Sequence, residues 1–171
     1  MERNVLISLW DLRITRRSLT SFFFGEKMIT PQDKYLILSA LTQMLFPFVA
    51  MIIMFRRRVA SLKSGEVKMK YFSTYNKENN LSDKTVAAGR HFTNLFEMPT
   101  LFYAIVAFIF MTRQTDLVFI ILAWLFVLVR LFHSVIHLGN NNIRKRMRTF
   151  GLSSLFCLIM VVYLIGKICL L

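Results

Sequence analysis

The sequence predicts an all-α integral membrane protein built as a bundle of four transmembrane helices. Of its 171 residues, 56% are hydrophobic, including 17 Phe and 10 Met, which is more than an ordinary soluble domain carries. The apolar residues come in long runs instead of the short periods of a soluble core. A lipid bilayer is the environment that stabilises such runs.

The first two predicted spans differ in how apolar they are. Residues 35–55 form a stretch of 21 residues without a charge, which at roughly 1.5 Å per residue crosses a hydrocarbon core of about 30 Å. It predicts a helix over about 34–56. Residues 98–112 are apolar but too few, so the second helix has to begin earlier and is predicted over about 86–112. This extension carries polar residues into the membrane. Pro99 is compatible with such a helix, because neighbouring groups can satisfy the freed carbonyl.

The third and fourth predicted spans complete the bundle. Residues 117–138 predict a helix over about 116–138 that is interrupted by a few polar side chains. Residues 150–171 predict a helix over about 148–170, with one charge, Lys167, near its end, where a long side chain can reach the interface.

The first part of the chain is predicted to lie outside the helical bundle. Residues 28–171 are predicted to form a single domain, and residues 1–27 an N-terminal extension whose apolar stretches are too short to cross a bilayer. Two explanations stay open. Met28 is the natural start, or the extension is an amphipathic tail at the membrane interface.

The net charge of +13 is compatible with nucleic-acid binding, but the lysines and arginines lie between the apolar spans instead of forming a soluble basic face, so no nucleic-acid partner is expected. Twelve lysines and arginines lie in the connections 56–89 and 139–149, against three on the opposite face from residue 28 onward. By the positive-inside rule, both basic connections are expected in the cytoplasm and both termini on the other side.

Two stripes of polar residues are predicted within the membrane, toward the cytoplasmic ends of the second and third helices. Arg90, Asn94 and Glu97 follow an i, i+4, i+7 spacing, which places them on one helix face. The third helix repeats this spacing. Its stripe consists of Arg130, His133, Ser134 and His137.

The charges of the two stripes predict a site for a small anion. Charged side chains near hydrocarbon are costly and normally face the bundle interior. The arginines of this region outnumber the one nearby acid, Glu97, and guanidinium groups bind carboxylates in pairs of hydrogen bonds. His133 and His137 have the spacing of two zinc ligands on one helix, but the sequence shows neither an intervening glutamate nor an obvious third ligand, so no metal is predicted.

Two segments resemble the MAPEG family, the membrane-associated proteins of eicosanoid and glutathione metabolism. The first is Arg90-x-x-x-Asn94-x-x-Glu97 followed by Met98-Pro99, and the second runs from Val129-Arg130 through His133-Ser134 to His137-Leu138-Gly139. The resemblance covers most of the chain from about residue 29. Residues 90–99 resemble most closely the bacterial members of unassigned activity.

The resemblance implies a homotrimer in the lipid bilayer that binds glutathione between protomers near the cytoplasmic side. A lipophilic electrophile is the implied substrate, and the implied activity is that of a glutathione transferase or peroxidase. The cofactor-binding residues it implies are Arg90, Asn94, Glu97, Arg130, His133 and His137.

The resemblance also implies that a side chain near the start of the fourth helix activates the glutathione thiol. Arg144, Arg146 and Arg148 are the candidates, and the spacing does not choose between them; Arg146 is preferred. His137 stands where enzymatic members carry a tyrosine, so binding without turnover stays open. The alternative function is a non-catalytic membrane protein whose polar residues only hold the helices together.

Overall fold

A computed structural model describes residues 29–74 and 81–170. The described part is helical, contains no strand, and has four segments long and apolar enough to cross a membrane. The all-helical, four-span prediction is therefore confirmed, while the predicted extension 1–27 lies outside the described residues. The helices are α1 (Pro31–Lys63), α2 (Met69–Thr74), α3 (Asp83–Asn94), α4 (Met98–Met111), α5 (Leu117–Leu138) and α6 (Ile143–Cys169).

Helix α1 begins at a capping box and continues beyond its apolar segment. The hydroxyl of Thr30 accepts a hydrogen bond from the Asp33 N–H at 3.1 Å, and the Asp33 carboxylate accepts one from the Thr30 N–H at 2.8 Å. Pro31 occupies the first turn, where a missing N–H costs no helical hydrogen bond. The helix therefore starts earlier than the predicted 34–56, and it ends later, at Lys63.

The second span is present, but it is not one continuous helix. Helix α3 ends at Asn94 and α4 begins at Met98. Pro99 explains the interruption, because its nitrogen has no hydrogen to donate and its ring clashes with the carbonyl four residues earlier in a regular helix. In the break, the N–H groups of Phe96 and Glu97 bond to carbonyls three residues back.

Side-chain caps set the starts of the last two helices. Asp116 accepts a hydrogen bond from the Phe119 N–H at 3.0 Å, which starts α5 within one residue of the predicted position. Asn142 accepts one from the Lys145 N–H at 3.1 Å and starts α6. Helix α6 therefore begins five residues before the predicted 148–170.

The apolar core lies in the middle of the bundle, and a second apolar surface faces outward. Phe102 and Phe126 are fully buried and stack with their ring centroids 4.2 Å apart. By contrast, Phe48 and Phe132 are each 61% exposed. Many large apolar side chains share this outward position, as expected of helices that lie in lipid.

The two basic connections lie at one end of the bundle, which we call the basic end. The guanidinium group of Arg57, on α1, donates to the Lys84 carbonyl at 2.6 Å and to the Leu138 carbonyl at 2.8 Å. These bonds tie the end of α1 to the start of α3 and the end of α5. The charge-assisted bond to Leu138 also satisfies a carbonyl at the C-terminal end of α5.

The opposite end of the bundle is held by Asp116. Its carboxylate accepts hydrogen bonds from the Lys167 ammonium at 2.7 Å and from the Tyr163 hydroxyl at 2.9 Å. Burial raises the pKa of Asp116, but the hydrogen bonds it accepts, first among them that from Lys167, outweigh burial and hold the pKa below its ordinary value. The carboxylate thus joins the start of α5 to the end of α6.

Substitutions of Asp116 should separate the contribution of its helix cap to stability from that of its charge. Asp116→Ala removes both and should lower the free energy of unfolding by about 1–2 kcal/mol. Asp116→Asn keeps a capping oxygen and should cost less. Urea unfolding in detergent measures both, with Asp83→Asn, an exposed acid at the start of α3, as the control.

The difference between wild type and Asp116→Asn should also depend on pH. Because the pKa of Asp116 is lower in the folded protein than its unfolded value of about 3.9, the stabilisation is complete above that value. It is lost as the pH falls through the folded-state pKa. A difference that grows on acidification would contradict this assignment.

Candidate functional site

A cavity of about 850 Å³ opens at the basic end, and we call it the basic-end pocket. Its volume lies within the range of small-molecule sites, roughly 300–1,000 Å³. Apolar side chains such as Phe72 and Phe150 form part of the wall. Among the lining residues that the structure describes, three arginines stand against one carboxylate, which favours an anion. The charged and polar lining residues include Arg58, Arg90, Asn94, Glu97, His133, His137 and Arg146.

The predicted stripe of the second span forms one wall of this pocket. Arg90 is exposed, and its side chain is therefore accessible to a ligand. The side-chain amide of Asn94 donates to the Glu97 carboxylate at 3.1 Å. The structure thus brings Arg90, Asn94 and Glu97 together, as their spacing predicts.

Arg130 lies behind this wall instead of in it. The side chain is 0% exposed, and one of its terminal nitrogens, Nη2, donates to the backbone carbonyl and to the side-chain oxygen of Asn94, each at 3.0 Å. In an unbroken helix the Asn94 carbonyl would accept from the N–H of Met98. At the helix break Arg130 supplies a charge-assisted donor in that position. Arg130 was expected to line the cleft; in the structure it positions Asn94.

His133 and His137, on α5, both line the pocket. His133 contacts the start of α6, because its Nδ1 lies 3.2 Å from the Arg146 carbonyl and 3.1 Å from the Thr149 hydroxyl. The turn after α5 is tight. A Cβ on Gly139 would lie 2.9 Å from the Val135 carbonyl, so glycine allows the chain to leave the helix beside His137.

His91 is buried behind the pocket, next to two of its lining residues, and the sequence did not indicate this position. It comes from α3, is 1% exposed, and its ring centroid lies 5.1 Å from that of His137 and 6.2 Å from that of His133. A step of one residue along a helix rotates the side chain by about 100°, so His91 lies off the face of Arg90. The signal was the histidine count, because the chain has three, all on the two polar-striped spans.

The start of α6 places one of the three candidate arginines in the pocket. Arg146 lines it and donates to the side-chain oxygen of Asn141 at 2.9 Å. Asn141 adopts a positive φ of 49°, a conformation that asparagine tolerates better than most residues. Arg144 and Arg148 are exposed and do not line the pocket. The placement agrees with the preference for Arg146.

Four membrane-spanning helices with a polar pocket at their basic end define the class of protein: an integral, multi-pass membrane protein with a site between its helices. The model of the MAPEG family matches residues 35–166, most of the four spans, and the chain belongs to this family. The resemblance noted in the two polar segments is therefore confirmed. No curated protein and no solved structure matches the chain.

Arg130 is buried and Arg90 is exposed, so substitutions at the two positions should change the free energy of unfolding by different amounts. Arg130→Met leaves the Asn94 carbonyl without its charged donor and should lower the free energy of unfolding by about 2–4 kcal/mol. Arg90→Met removes an exposed side chain and should change it by less than about 0.5 kcal/mol. Urea unfolding in detergent compares the two. Equal destabilisation by both would contradict the geometry.

Proposed function

We propose that this MAPEG-family protein binds glutathione, or a small anion of similar charge, in the basic-end pocket. The observation that carries the proposal is the excess of arginine over acid among the lining residues. Arg130 donates to Asn94 through Nη2 alone, and its Nε and Nη1 are buried without a hydrogen-bond partner among the described residues, whereas Arg90 is exposed to the pocket. A ligand carboxylate is a suitable partner for its planar guanidinium group.

Glutathione matches the other polar groups of the pocket. It carries carboxylates, an ammonium group and a thiol, and the carboxylate of Glu97, which lines the pocket, would pair with the ammonium group. The amide of Asn94 offers one further hydrogen-bonding group beside Glu97. The residues proposed to hold the polar groups of the ligand are Arg90, Asn94 and Glu97, with Arg130 acting through Asn94. His133 and His137 border the ligand in the pocket wall.

Catalysis is the second part of the proposal, and Arg146 is its central residue. A cation beside a thiol favours the thiolate, which is the reactive form. In a transferase or peroxidase reaction the thiolate of glutathione would attack a lipophilic electrophile that enters from the bilayer. The protein would supply positioning and electrostatic stabilisation, while the chemistry belongs to the cofactor.

The proposed setting is a homotrimer with the basic end in the cytoplasm. The asymmetry of lysine and arginine supports this orientation. The family resemblance supports the trimer, with the pocket completed by a neighbouring protomer. The exposed apolar side chains provide surface both for lipid and for such a neighbour.

Glutathione should raise the thermal stability of the detergent-purified protein. A ligand at about 100 times its dissociation constant stabilises the folded state by about 2.7 kcal/mol, so millimolar glutathione should raise the melting temperature. Arg90→Ala should abolish the shift without lowering the melting temperature in buffer alone. Arg148→Ala, an exposed arginine outside the pocket lining, is the matched control and should keep the shift.

The rival function is a non-catalytic membrane protein whose polar residues only hold the helices together. The contacts of Arg130 with Asn94, and of His133 with the start of α6, favour it, because both join helices. Under this alternative wild type shows no shift with glutathione, and Arg90→Ala lowers the melting temperature of the protein alone. The thermal measurements therefore distinguish the two functions.

Arg146 should determine the ionisation of bound glutathione. In wild type the ultraviolet absorbance of the thiolate should appear well below the pH expected from a thiol pKa of about 8.5. Arg146→Gln should still bind glutathione but move the thiolate transition to higher pH, and Arg146→Lys should recover part of the effect. Arg144→Gln, exposed and outside the pocket lining, should behave as wild type. An unchanged transition in Arg146→Gln would remove Arg146 from the proposed role.

A further inference from the structure

The three histidines of the chain converge on one point inside the bundle. His91 lies on α3, and His133 and His137 lie one helical turn apart on α5. They are 1%, 2% and 4% exposed, and one ring nitrogen from each lies within 4.8 Å of those from the other two. Two helices that are distant in sequence thus bring together every imidazole that the chain has.

One ring nitrogen of each histidine is buried with no hydrogen-bond partner among the described residues: Nδ1 of His91, Nε2 of His133 and Nδ1 of His137. Buried polar atoms are normally satisfied, so three such atoms in one cluster indicate a missing partner that they share. A cation that accepts imidazole lone pairs would satisfy all three at once.

The hydrogen bonds of His133 prepare its ring for metal binding. Its Nδ1 lies 3.2 Å from the Arg146 carbonyl, which only accepts, and 3.1 Å from the Thr149 hydroxyl, which itself donates to a backbone carbonyl. Both contacts favour the tautomer with the proton on Nδ1. The lone pair of His133 is therefore on Nε2, the nitrogen without a partner in the described chain. Histidines that bind metals commonly donate their other ring N–H to a carbonyl in this way.

We propose that His91, His133 and His137 form a three-histidine site for a divalent transition-metal ion, with Zn²⁺ as the ion that fits best. Imidazole is a preferred ligand of zinc, and three protein ligands leave a fourth position open. Tetrahedral bonds of about 2.1 Å set the ligand nitrogens roughly 3.4 Å apart, so the rings turn inward slightly on binding. The sequence argument against a metal was the missing third ligand, which His91 supplies.

The surroundings determine what occupies the fourth position. Arg130 and Arg146 lie close enough to act electrostatically on His133, and their charges oppose a bare cation. An anion on the metal offsets this repulsion, and His133 and His137 both border the basic-end pocket, through which an anion can enter. The fourth ligand is therefore an anion, and hydroxide fills the position in buffer alone. The site itself does not require glutathione.

Titration with Co²⁺ and Zn²⁺ tests the site. The full-length protein is used in detergent. Any affinity tag is removed and glutathione is left out, because the tag and glutathione both bind metals. One equivalent of Co²⁺ per chain should give the strong visible absorption of a tetrahedral ion, and one equivalent of Zn²⁺ should displace it. His91→Asn, His133→Asn and His137→Asn should each weaken binding at least about 10- to 100-fold. Ser134→Ala, on α5 beside the cluster, is the control and should bind as wild type.

A second measurement needs no variant and covers the case in which an asparagine substitution unfolds the protein. In protein labelled with ¹⁵N only at histidine, all three side-chain signals should shift together with one equivalent of Zn²⁺ and then stop changing. Two results with folded wild-type protein would overturn the proposal. One is the absence of a tetrahedral Co²⁺ spectrum, and the other is histidine signals that do not change when Zn²⁺ is added. Metal binding that folded His→Asn variants retain would also overturn it.

Discussion

The hydrogen bonds from Arg130 to Asn94 are the interaction on which the rest of the site depends. Pro99 interrupts the second span, and at the break the Asn94 carbonyl loses the Met98 N–H that a regular helix would give it. It keeps a long bond from the Glu97 N–H at 3.4 Å, and the fully buried Arg130 of α5 adds a charged donor at 3.0 Å. The contact therefore stabilises a break that a soluble helix would fill with water. It also fixes the turn that presents Asn94 and Glu97 to the basic-end pocket.

The charges of the basic end fall into two groups with different physical roles. Arg57 and Arg130 donate hydrogen bonds to backbone carbonyls and thereby join helices, so their role is structural. Arg90 and Arg146 line the pocket, where a ligand can reach them. Among the described lining residues, Arg90 and Arg146 stand against the single carboxylate of Glu97. That excess is the physical basis for assigning an anionic ligand to the pocket.

Much of the fold could be predicted from the sequence, because the membrane sets the length of each apolar run and helical spacing aligns the polar residues. The stripe of Arg90, Asn94 and Glu97 was found in this way. The break at Pro99 could not be predicted from the sequence, because a proline in a membrane helix is tolerated or disruptive according to its neighbours. Whether Arg130 lines or supports the pocket depends on side-chain depth, which a one-dimensional pattern does not contain. The sequence did not reveal the position of His91 for a similar reason, because its partners, His133 and His137, lie on a different helix.

A structure of the protein in a lipid nanodisc with saturating glutathione tests the central claim most directly. We expect ligand density in the basic-end pocket, with a carboxylate against Arg90 and the thiol near Arg146, while Arg130 keeps its bonds to Asn94. Density at another place on the protein, or a pocket without ligand under those conditions, would contradict the assignment of this pocket as an anion site.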